Sequence, residues 1–110
     1  MADPYIIAGE VEKRIRDIFK DALVKVLIYG SYVSGTSDPE SDIDILVLVT
    51  ENDQFIEQKR EAIIDIVTDI SSLNNIFVSV MVRNASLFYE RSAYVPFYMD
   101  IARHGVEIHG

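Results

Sequence analysis

The sequence predicts a small α/β domain with one sheet and helices packed against it. Two patterns support this prediction. Segments with apolar residues at helical spacing alternate with short runs rich in β-branched residues, and turn-forming residues separate them. The chain has 110 residues and no internal repeat, which predicts a single domain over residues 1–110. With 49% hydrophobic and 25% charged residues, the composition is that of an ordinary globular protein.

One helix, two strands and a polar loop are predicted in the first half of the chain. Residues 9–22 carry an apolar stripe at helical spacing, made up of Val11, Ile15, Ile18, Phe19 and Ala22. Residues 24–29 are rich in β-branched side chains and stop at Gly30, which predicts a strand. Serine, glycine, aspartate and proline predict a loop over residues 31–41, with room for one helical turn at its start. Residues 42–49 alternate at first and then become continuously apolar, which predicts a strand buried on both faces at its far end.

A long amphipathic helix and a third strand are predicted next. Apolar residues recur at helical spacing over residues 53–70, and Thr50 with Asp53 offers a start for this helix. Two asparagines at residues 74–75 predict a turn. The run IFVSVMV at residues 76–82 then predicts the third strand.

A short helix and an edge strand are predicted at the end of the chain. Ser86 can cap a single helical turn that precedes them. Pro96 suits the first turn of a helix that ends near His104, with Gly105 as its stop. Residues 106–108 add a short edge strand. The predicted order is therefore helix, strand, loop, strand, helix, strand, helix and strand.

The charge balance and the missing cysteines exclude several classes of function. Ten Lys and Arg against 18 Asp and Glu give a net charge of −8, which argues against a wide nucleic-acid-binding face. The balance fits a protein that holds metal cations. Since there is no cysteine, disulfide frameworks, thiolate zinc sites and cysteine nucleophiles are excluded. No apolar stretch approaches the roughly 18 residues of a membrane span, and no secretion signal is visible, so we expect a cytoplasmic protein without a membrane partner.

One segment, residues 27–47, carries residue types suited to phosphate and metal chemistry. Its first strand ends in Gly30-Ser31, and ten residues later the next strand opens with Asp42 and Asp44 on either side of an isoleucine. Side chains alternate along a strand, so the two carboxylates share one face about 7 Å apart and repel each other unless a cation lies between them. Such oxygen ligands suit Mg²⁺ or Mn²⁺. Glycine admits a phosphate close to the backbone, and the Ser31 hydroxyl can hold phosphate oxygens.

This pattern, Gly-Ser followed after ten residues by Asp-x-Asp, resembles the signature of the DNA polymerase β-like nucleotidyltransferase superfamily. The short chain is similar to the minimal nucleotidyltransferases of prokaryotes, and the likeness covers most of it, including the tail PFYMDIARHGVEIH. The resemblance implies a small mixed β-sheet with helices packed against it. It also implies transfer of a nucleoside monophosphate from an NTP, by family habit ATP, onto a hydroxyl. Asp42 and Asp44 would be the catalytic metal ligands, and Gly30 and Ser31 would bind the nucleotide.

The resemblance also indicates what this chain lacks. The family usually has a third carboxylate on the following strand, and the residue aligned with it here is Ser79. This leaves open a second interpretation, a nucleotide-binding or regulatory module that has lost catalysis and acts through a partner. Small members of the family often occur beside a helical HEPN partner, some as the antitoxin of a toxin–antitoxin pair. We therefore expect the acceptor to come from another chain; a homo-oligomer is also open.

Other polar and aromatic residues have simpler interpretations. His104 and His109 fit a helix end or an exposed tail. An EF-hand is excluded because Asp38 and the two aspartates of the motif do not match the spacing of its ligands. Five aromatic residues lie close in sequence and predict either core packing or a partner surface: Phe88, Tyr89, Tyr94, Phe97 and Tyr98.

Overall fold

The computed structural model describes residues 3–36 and 42–109, and it places helices on both faces of one sheet. Residues 37–41, which include Asp38 and the second part of the predicted polar loop, lie outside the described residues. The α/β class predicted from the sequence is confirmed, and the four strands occur in the predicted order, but the helices are more numerous than predicted.

Four strands form the sheet of the described residues. They are β1 (Leu23–Tyr29), β2 (Ile43–Val49), β3 (Val78–Asn84) and β4 (Val106–His109). Their order across the sheet is β3-β2-β1-β4, so β3 and β4 are the edges. The sheet is mixed, because β1 runs antiparallel to both β2 and β4 while β2 and β3 are parallel.

Six α-helices surround this sheet in the described residues. They are α1 (Pro4–Phe19), α2 (Ser31–Ser34), α3 (Asp53–Gln58), α4 (Arg60–Asn74), α5 (Ala85–Arg91) and α6 (Pro96–His104). A 3-10 turn at Lys20–Ala22 links α1 to β1. None of the described helices combines the length and the apolar character needed to cross a membrane.

Side-chain alternation along β2 divides the core into two clusters. Ile43, Ile45 and Val47 point to the face that α1 and α4 cover. Leu46 and Leu48 point to the opposite face, where they meet Phe88 and Ile101 of α5 and α6. The central strand is therefore buried on both faces, as its apolar sequence predicts.

The first helix starts earlier and ends earlier than the predicted bounds of residues 9–22. Asp3 caps it, because its side chain accepts a hydrogen bond of 2.8 Å from the Tyr5 N–H, and Pro4 fits the first turn. At the other end, Lys20 has a φ of 52°, which leaves the helical region and starts the 3-10 turn. Val11, Ile15 and Phe19 of the predicted stripe are nevertheless buried on this helix, whereas Ile18 is partly buried and Ala22 lies in the 3-10 turn.

The single helix predicted over residues 53–70 is in fact two helices. The Lys59 N–H donates to the Ile56 carbonyl three residues back, at 3.0 Å, and this 3-10-type bond interrupts the α-helical ladder. Helix α3 packs its Phe55 ring against Phe19, with the ring centroids 6.1 Å apart. Helix α4 then continues beyond the predicted end and closes at Asn75, which has a φ of 51°.

Helix α3 begins at Asp53, as predicted, but the residues predicted to cap α3 and α5 are wrong. Asn52, rather than Thr50 or Asp53, caps α3 through a bond of 2.9 Å from the Phe55 N–H. Asn84, rather than Ser86, caps α5 through a bond of 3.0 Å from the Leu87 N–H. In both places asparagine supplies the side-chain oxygen at the residue where the backbone is still extended.

Candidate functional site

The antiparallel pairing of β1 and β2 brings the two halves of the Gly-Ser and Asp-x-Asp pattern to one end of the sheet. Tyr29, the last residue of β1, is the register partner of Asp44, the second residue of β2. Gly30 and Ser31 follow directly, with Ser31 as the first residue of α2. Asp42 directly precedes β2 on the other side. The structure therefore brings together the four residues that the sequence singled out.

Gly30 lies directly against the Asp44 carboxylate. Its φ of 85° and ψ of −150° belong to a backbone region that is essentially restricted to glycine. A Cβ atom at this position would lie 2.5 Å from Asp44 Oδ2, closer than real Cβ atoms approach an oxygen. The absence of a side chain thus creates the space that the carboxylate fills, and it fixes the end of β1 beside the start of β2.

The Asp44 carboxylate sits in an electrostatic environment that disfavours its charge. Partial burial raises the pKa of Asp44, and the neighbouring charge of Asp42 raises it further. Asp42 is exposed, whereas Asp44 is half-buried. A bound cation would reverse both effects, because it would replace lost hydration and neutralise the repulsion between the carboxylates.

Tyr29 is a neighbour of Asp44 that the sequence analysis did not single out. Burial raises the pKa of Tyr29, and the Asp44 charge raises it further. Its ring packs edge-on against Phe97, with the centroids 5.8 Å apart. The only sequence signal was its position directly before Gly30, since the register of the strands is what places it opposite Asp44.

Ser79 is the residue of β3 that lies beside Asp44. The parallel pairing of β2 and β3 makes the two residues register partners, so their side chains share a face. Within residues 3–36 and 42–109, no group of three His, Asp or Glu side chains is arranged to hold a metal ion. Asp44 and Asp42, which precedes β2, are the two predicted carboxylates at this end of the sheet.

A cavity of about 620 Å³ opens beside Gly30. Its walls come from the end of β1, from α2 and from the end of α6: Tyr29, Gly30, Val33, Ser34, Asp100, Arg103, His104 and Gly105. The pairing of Ile28 with Val106 explains this arrangement, because it sets the start of β4 beside the end of β1. The volume is within the range of small-molecule sites.

The two histidines lie at the end of α6 and in β4. His104 ends α6, as predicted, and its Nδ1 lies 3.1 Å from Asp100 Oδ1. His109 pairs through its backbone with β1 at Val26, and its side chain lies outside the described part of the structure.

The aromatic residues of α5 and α6 divide into a buried and an exposed group. Phe88 is fully buried in the second core cluster, and Tyr98 packs against it with the ring centroids 5.3 Å apart. Tyr89, Tyr94 and Phe97 are about half exposed or more. Phe97 also packs against Tyr29, and Tyr89 against Phe88, so the sequence-based alternative of a partner surface concerns the exposed parts of Tyr89, Tyr94 and Phe97.

Comparison with known proteins gives one family and several structural neighbours. A family model described as a nucleotidyltransferase domain matches residues 9–99. A candidate protein adenylyltransferase of Methanocaldococcus jannaschii is 33% identical over 102 residues, which are 93% of this chain and 95% of the relative. The glycine and aspartates described above lie inside the matched range.

Two solved structures share the fold at lower identity. The spectinomycin adenyltransferase of Enterococcus faecialis, solved with ATP and spectinomycin, has a TM-score of 0.69 and 21% identity; the match covers 98% of this chain and spans 56% of that enzyme. A complex of a tri-AMPylated Shewanella oneidensis HEPN toxin with its MNT antitoxin has a TM-score of 0.55 and 16% identity; that match covers 98% of this chain and 73% of the matched chain.

Proposed function

The chain belongs to the nucleotidyltransferase domain family, and from that premise we propose that it transfers a nucleoside monophosphate from an NTP to a hydroxyl group. ATP is the proposed donor, since the related protein is named for adenylyl transfer. In this reaction the acceptor oxygen forms a bond to the α-phosphorus. The bond from that phosphorus to the bridging oxygen breaks, pyrophosphate leaves with the electron pair, and the hydroxyl proton passes to solvent.

The contact between Gly30 and the Asp44 carboxylate supports this proposal best. It joins the phosphate-binding half of the motif to the metal-binding half, and it leaves no room for a side chain between them. Asp42 and Asp44 would hold Mg²⁺ or Mn²⁺, and their oxygen ligands and mutual repulsion suit a divalent cation. When bound, the cation supplies polarisation of the α-phosphate and neutralisation of the leaving pyrophosphate.

Gly30 and Ser31 are the proposed nucleotide-binding residues. The bare Gly30 backbone allows a phosphate to approach, and Ser31 stands next to it at the start of α2. The cavity beside Gly30, at about 620 Å³, is large enough for part of a nucleotide. Its wall carries the negative charge of Asp100 and the positive charge of Arg103, and Arg103 is the proposed partner of a phosphate there.

The proposed acceptor is a hydroxyl of a partner protein or of a small molecule. The name of the related protein supports a protein acceptor, and the fold is shared with a chain of a complex between an AMPylated HEPN toxin and its MNT antitoxin. The more specific form of the proposal is therefore an antitoxin that modifies a helical HEPN-type partner. The net charge of −8 argues against nucleic acid as the acceptor.

Transfer of label from ATP tests the function and its residues together. The protein is incubated with labelled ATP, Mg²⁺ and a candidate partner, and label on the partner is measured. We expect transfer by the wild type and none by the Asp42→Asn/Asp44→Asn double variant. A double variant of two exposed carboxylates of the first helical segment, Asp17→Asn/Asp21→Asn, is the charge-matched control and should transfer as the wild type does. Transfer that survives in the first variant would contradict these roles.

A nucleotide-binding or regulatory module is the second candidate function. The position of Ser79 beside Asp44 favours it, because a neutral hydroxyl is a poor ligand for Mg²⁺. Wild-type protein that binds ATP with Mg²⁺ but transfers no label to any partner would support this module and contradict the transferase.

A further inference from the structure

The free edge of β3 presents backbone groups in a known direction. The Ile43 N–H donates to the Phe77 carbonyl at 3.0 Å, so Phe77, and by alternation Ser79, points its backbone groups toward β2. Val78, Val80 and Val82 then point theirs away from the sheet. Two bonds agree with this: the Val78 N–H donates to Ser71 Oγ at 3.0 Å, and the Val82 carbonyl accepts from Arg83 Nη1 at 2.8 Å.

Three outward groups at the middle of this edge have no partner in the described part of the chain. They are the N–H and the carbonyl of Val80 and the N–H of Val82. Val80 is partly exposed and Val82 is buried, and an unpaired row of this kind at a sheet edge is a template for another strand, because strand pairing satisfies each group in turn.

A groove of about 370 Å³ runs along the same edge. It is lined by residues of α3, α4 and β3: Ile56, Glu57, Arg60, Ile63, Ile64, Val80, Met81, Val82 and Arg83. Its helical wall carries three isoleucines beside the ion pair of Glu57 and Arg60, and Ile64 leaves 48% of its surface exposed there. A strand added to β3 would place alternate side chains against this wall.

The other face of the same edge carries Ser79, Met81 and Arg83 and leads to the candidate site. Ser79 and Arg83 are four residues apart on β3, so they share this face, and Ser79 lies beside Asp44. The Arg83 guanidinium has no carboxylate partner among the described residues; it donates to Tyr98 Oη at 3.4 Å and to the Val82 carbonyl. In a chain with a net charge of −8, it is a local site for an acidic side chain.

We propose that the free edge of β3 binds an extended segment of the acceptor protein as an added strand, which carries its hydroxyl to the candidate site. The proposal rests on the proposed transferase function and adds where the acceptor docks. The segment has a hydroxyl residue beside Ser79, an acidic residue beside Arg83 and apolar residues that alternate with them toward the groove. An added strand lies two strand spacings, about 10 Å, from β2, so a long hydroxyl side chain such as tyrosine fits better than serine.

Two synthetic peptides test the docking without any chemistry. Their central sequences are Tyr-Val-Leu-Val-Asp and its reverse, since an added strand can run in either direction; each carries fluorescein on a Gly-Ser linker. Binding is followed by fluorescence anisotropy without nucleotide or metal. We expect the wild type and the Asp42→Asn/Asp44→Asn variant to bind one of the peptides equally well, because neither aspartate belongs to the edge.

Val80→Pro is the variant that tests the edge itself. Proline removes the outward N–H and leaves the bonds to β2 in place, and edge strands tolerate such a residue. We expect binding about tenfold weaker, the equivalent of one lost hydrogen bond. Val80→Thr, which keeps the N–H and the side-chain shape, is the matched control and should bind within about twofold of the wild type. Equal binding by a folded Val80→Pro variant would overturn the proposal.

A charge exchange gives a second test that does not disturb the strand. Arg83→Glu should weaken binding of the peptide that carries Asp and strengthen binding of a peptide with Lys in its place. The double exchange of charges should therefore restore binding. Lys13→Glu on α1 makes the same charge change away from the groove and should alter neither peptide. If Arg83→Glu binds the Asp peptide more weakly and does not bind the Lys peptide more tightly, the assignment of Arg83 is overturned.

The remaining outcomes separate this proposal from the transferase itself. If neither peptide binds while label transfer to a partner proceeds, the edge proposal fails and the transferase stands. If a peptide binds as expected but no partner is labelled, the transferase fails and the docking edge stands. If sedimentation shows a dimer of the wild type that Val80→Pro dissociates, a second copy of this chain occupies the edge and the proposal is overturned.

Discussion

Gly30 is held by two separate constraints, one within its own backbone and one across the sheet. Its φ of 85° is open to glycine and strained for other residues. The Asp44 carboxylate occupies the space where a side chain would begin. Gly35 shares only the first constraint, because its φ is 80° and no atom lies within 4 Å of the Cβ position. The two glycines therefore allow backbone strain to be separated from displacement of the carboxylate.

Gly30→Ala and Gly35→Ala should both cost stability, the first more than the second, and only Gly30→Ala should cost activity. We expect each to lower the free energy of unfolding by about 1–3 kcal/mol, because each forces alanine into a strained backbone region. Only Gly30→Ala moves the Asp44 carboxylate, so nucleotidyl transfer should fall by roughly 100-fold in that variant alone. Urea denaturation and label transfer measure the two effects. Equal activities of the two variants would contradict the role assigned to the contact.

The raised pKa of Asp44 predicts a stability that depends on pH. Burial and the Asp42 charge raise this pKa in the folded state, so the ionised carboxylate destabilises the fold at neutral pH. Asp44→Asn should therefore melt a few degrees above the wild type at pH 7 without divalent cations. As the pH falls through the folded-state pKa, the wild type takes up the proton, and the difference should vanish below the ordinary value of 3.8.

Thermal melts of both proteins over this pH range check the prediction. Asp17→Asn, at an exposed carboxylate of α1, is the control. Its melting temperature should not exceed that of the wild type at neutral pH and then return to it in acid. A difference between Asp44→Asn and the wild type that stays constant down to the acid limit would show that the carboxylate charge is not its cause.

At the scale of single elements, Asn84 has a structural role that the sequence pattern did not indicate. Its Oδ1 caps α5, and its Nδ2 donates to the Glu51 carbonyl at 2.9 Å and to the Thr50 carbonyl at 3.4 Å. One side chain thus joins the end of β3 to the end of β2 and starts the following helix.

Asn84→Ala should lower the free energy of unfolding by about 2 kcal/mol, since it removes a helix cap and a bond between two strand ends. Ser86→Ala, at the residue that the sequence suggested as the cap, should change it by less than about 0.5 kcal/mol. Urea denaturation measures the free energy of unfolding of both variants, and an unchanged m-value shows that each still unfolds from the same compact state. A larger effect of the serine substitution would indicate that the cap was wrongly assigned.

Local sequence patterns predict the elements well where one face is buried. The alternation and apolar run of β2 and the stripe of α1 are such cases, and both are confirmed. Helix ends were predicted less well, because several nearby residues can accept a hydrogen bond from the first turn. Asn52 and Asn84 cap their helices, rather than their neighbours, because the backbone is extended at these two residues, and the fold determines where that occurs. The break between α3 and α4 at Lys59 could not be predicted from a glycine or proline, because the sequence has neither there.

At the scale of the whole molecule, the site could be predicted in part because both halves of its motif lie within one pair of strands. Gly30 and Asp44 meet through the pairing of β1 with β2, which their short connection favours. The cavity wall from α6 and the place of Ser79 depend on pairings with β4 and β3, which lie far along the chain. Such registers are set by tertiary packing, and no local pattern encodes them.

The net charge of −8 predicts how the stability of the whole fold responds to cations. Any salt should stabilise the chain by screening its self-repulsion, whereas a cation held by Asp42 and Asp44 should add stability of its own. At 100 times its dissociation constant, Mg²⁺ would add about 2.7 kcal/mol. Thermal melts in MgCl₂ and in NaCl of equal ionic strength should therefore differ for the wild type and coincide for Asp42→Asn/Asp44→Asn. If both proteins respond equally to MgCl₂, the cation acts through general charge, and these aspartates do not hold it.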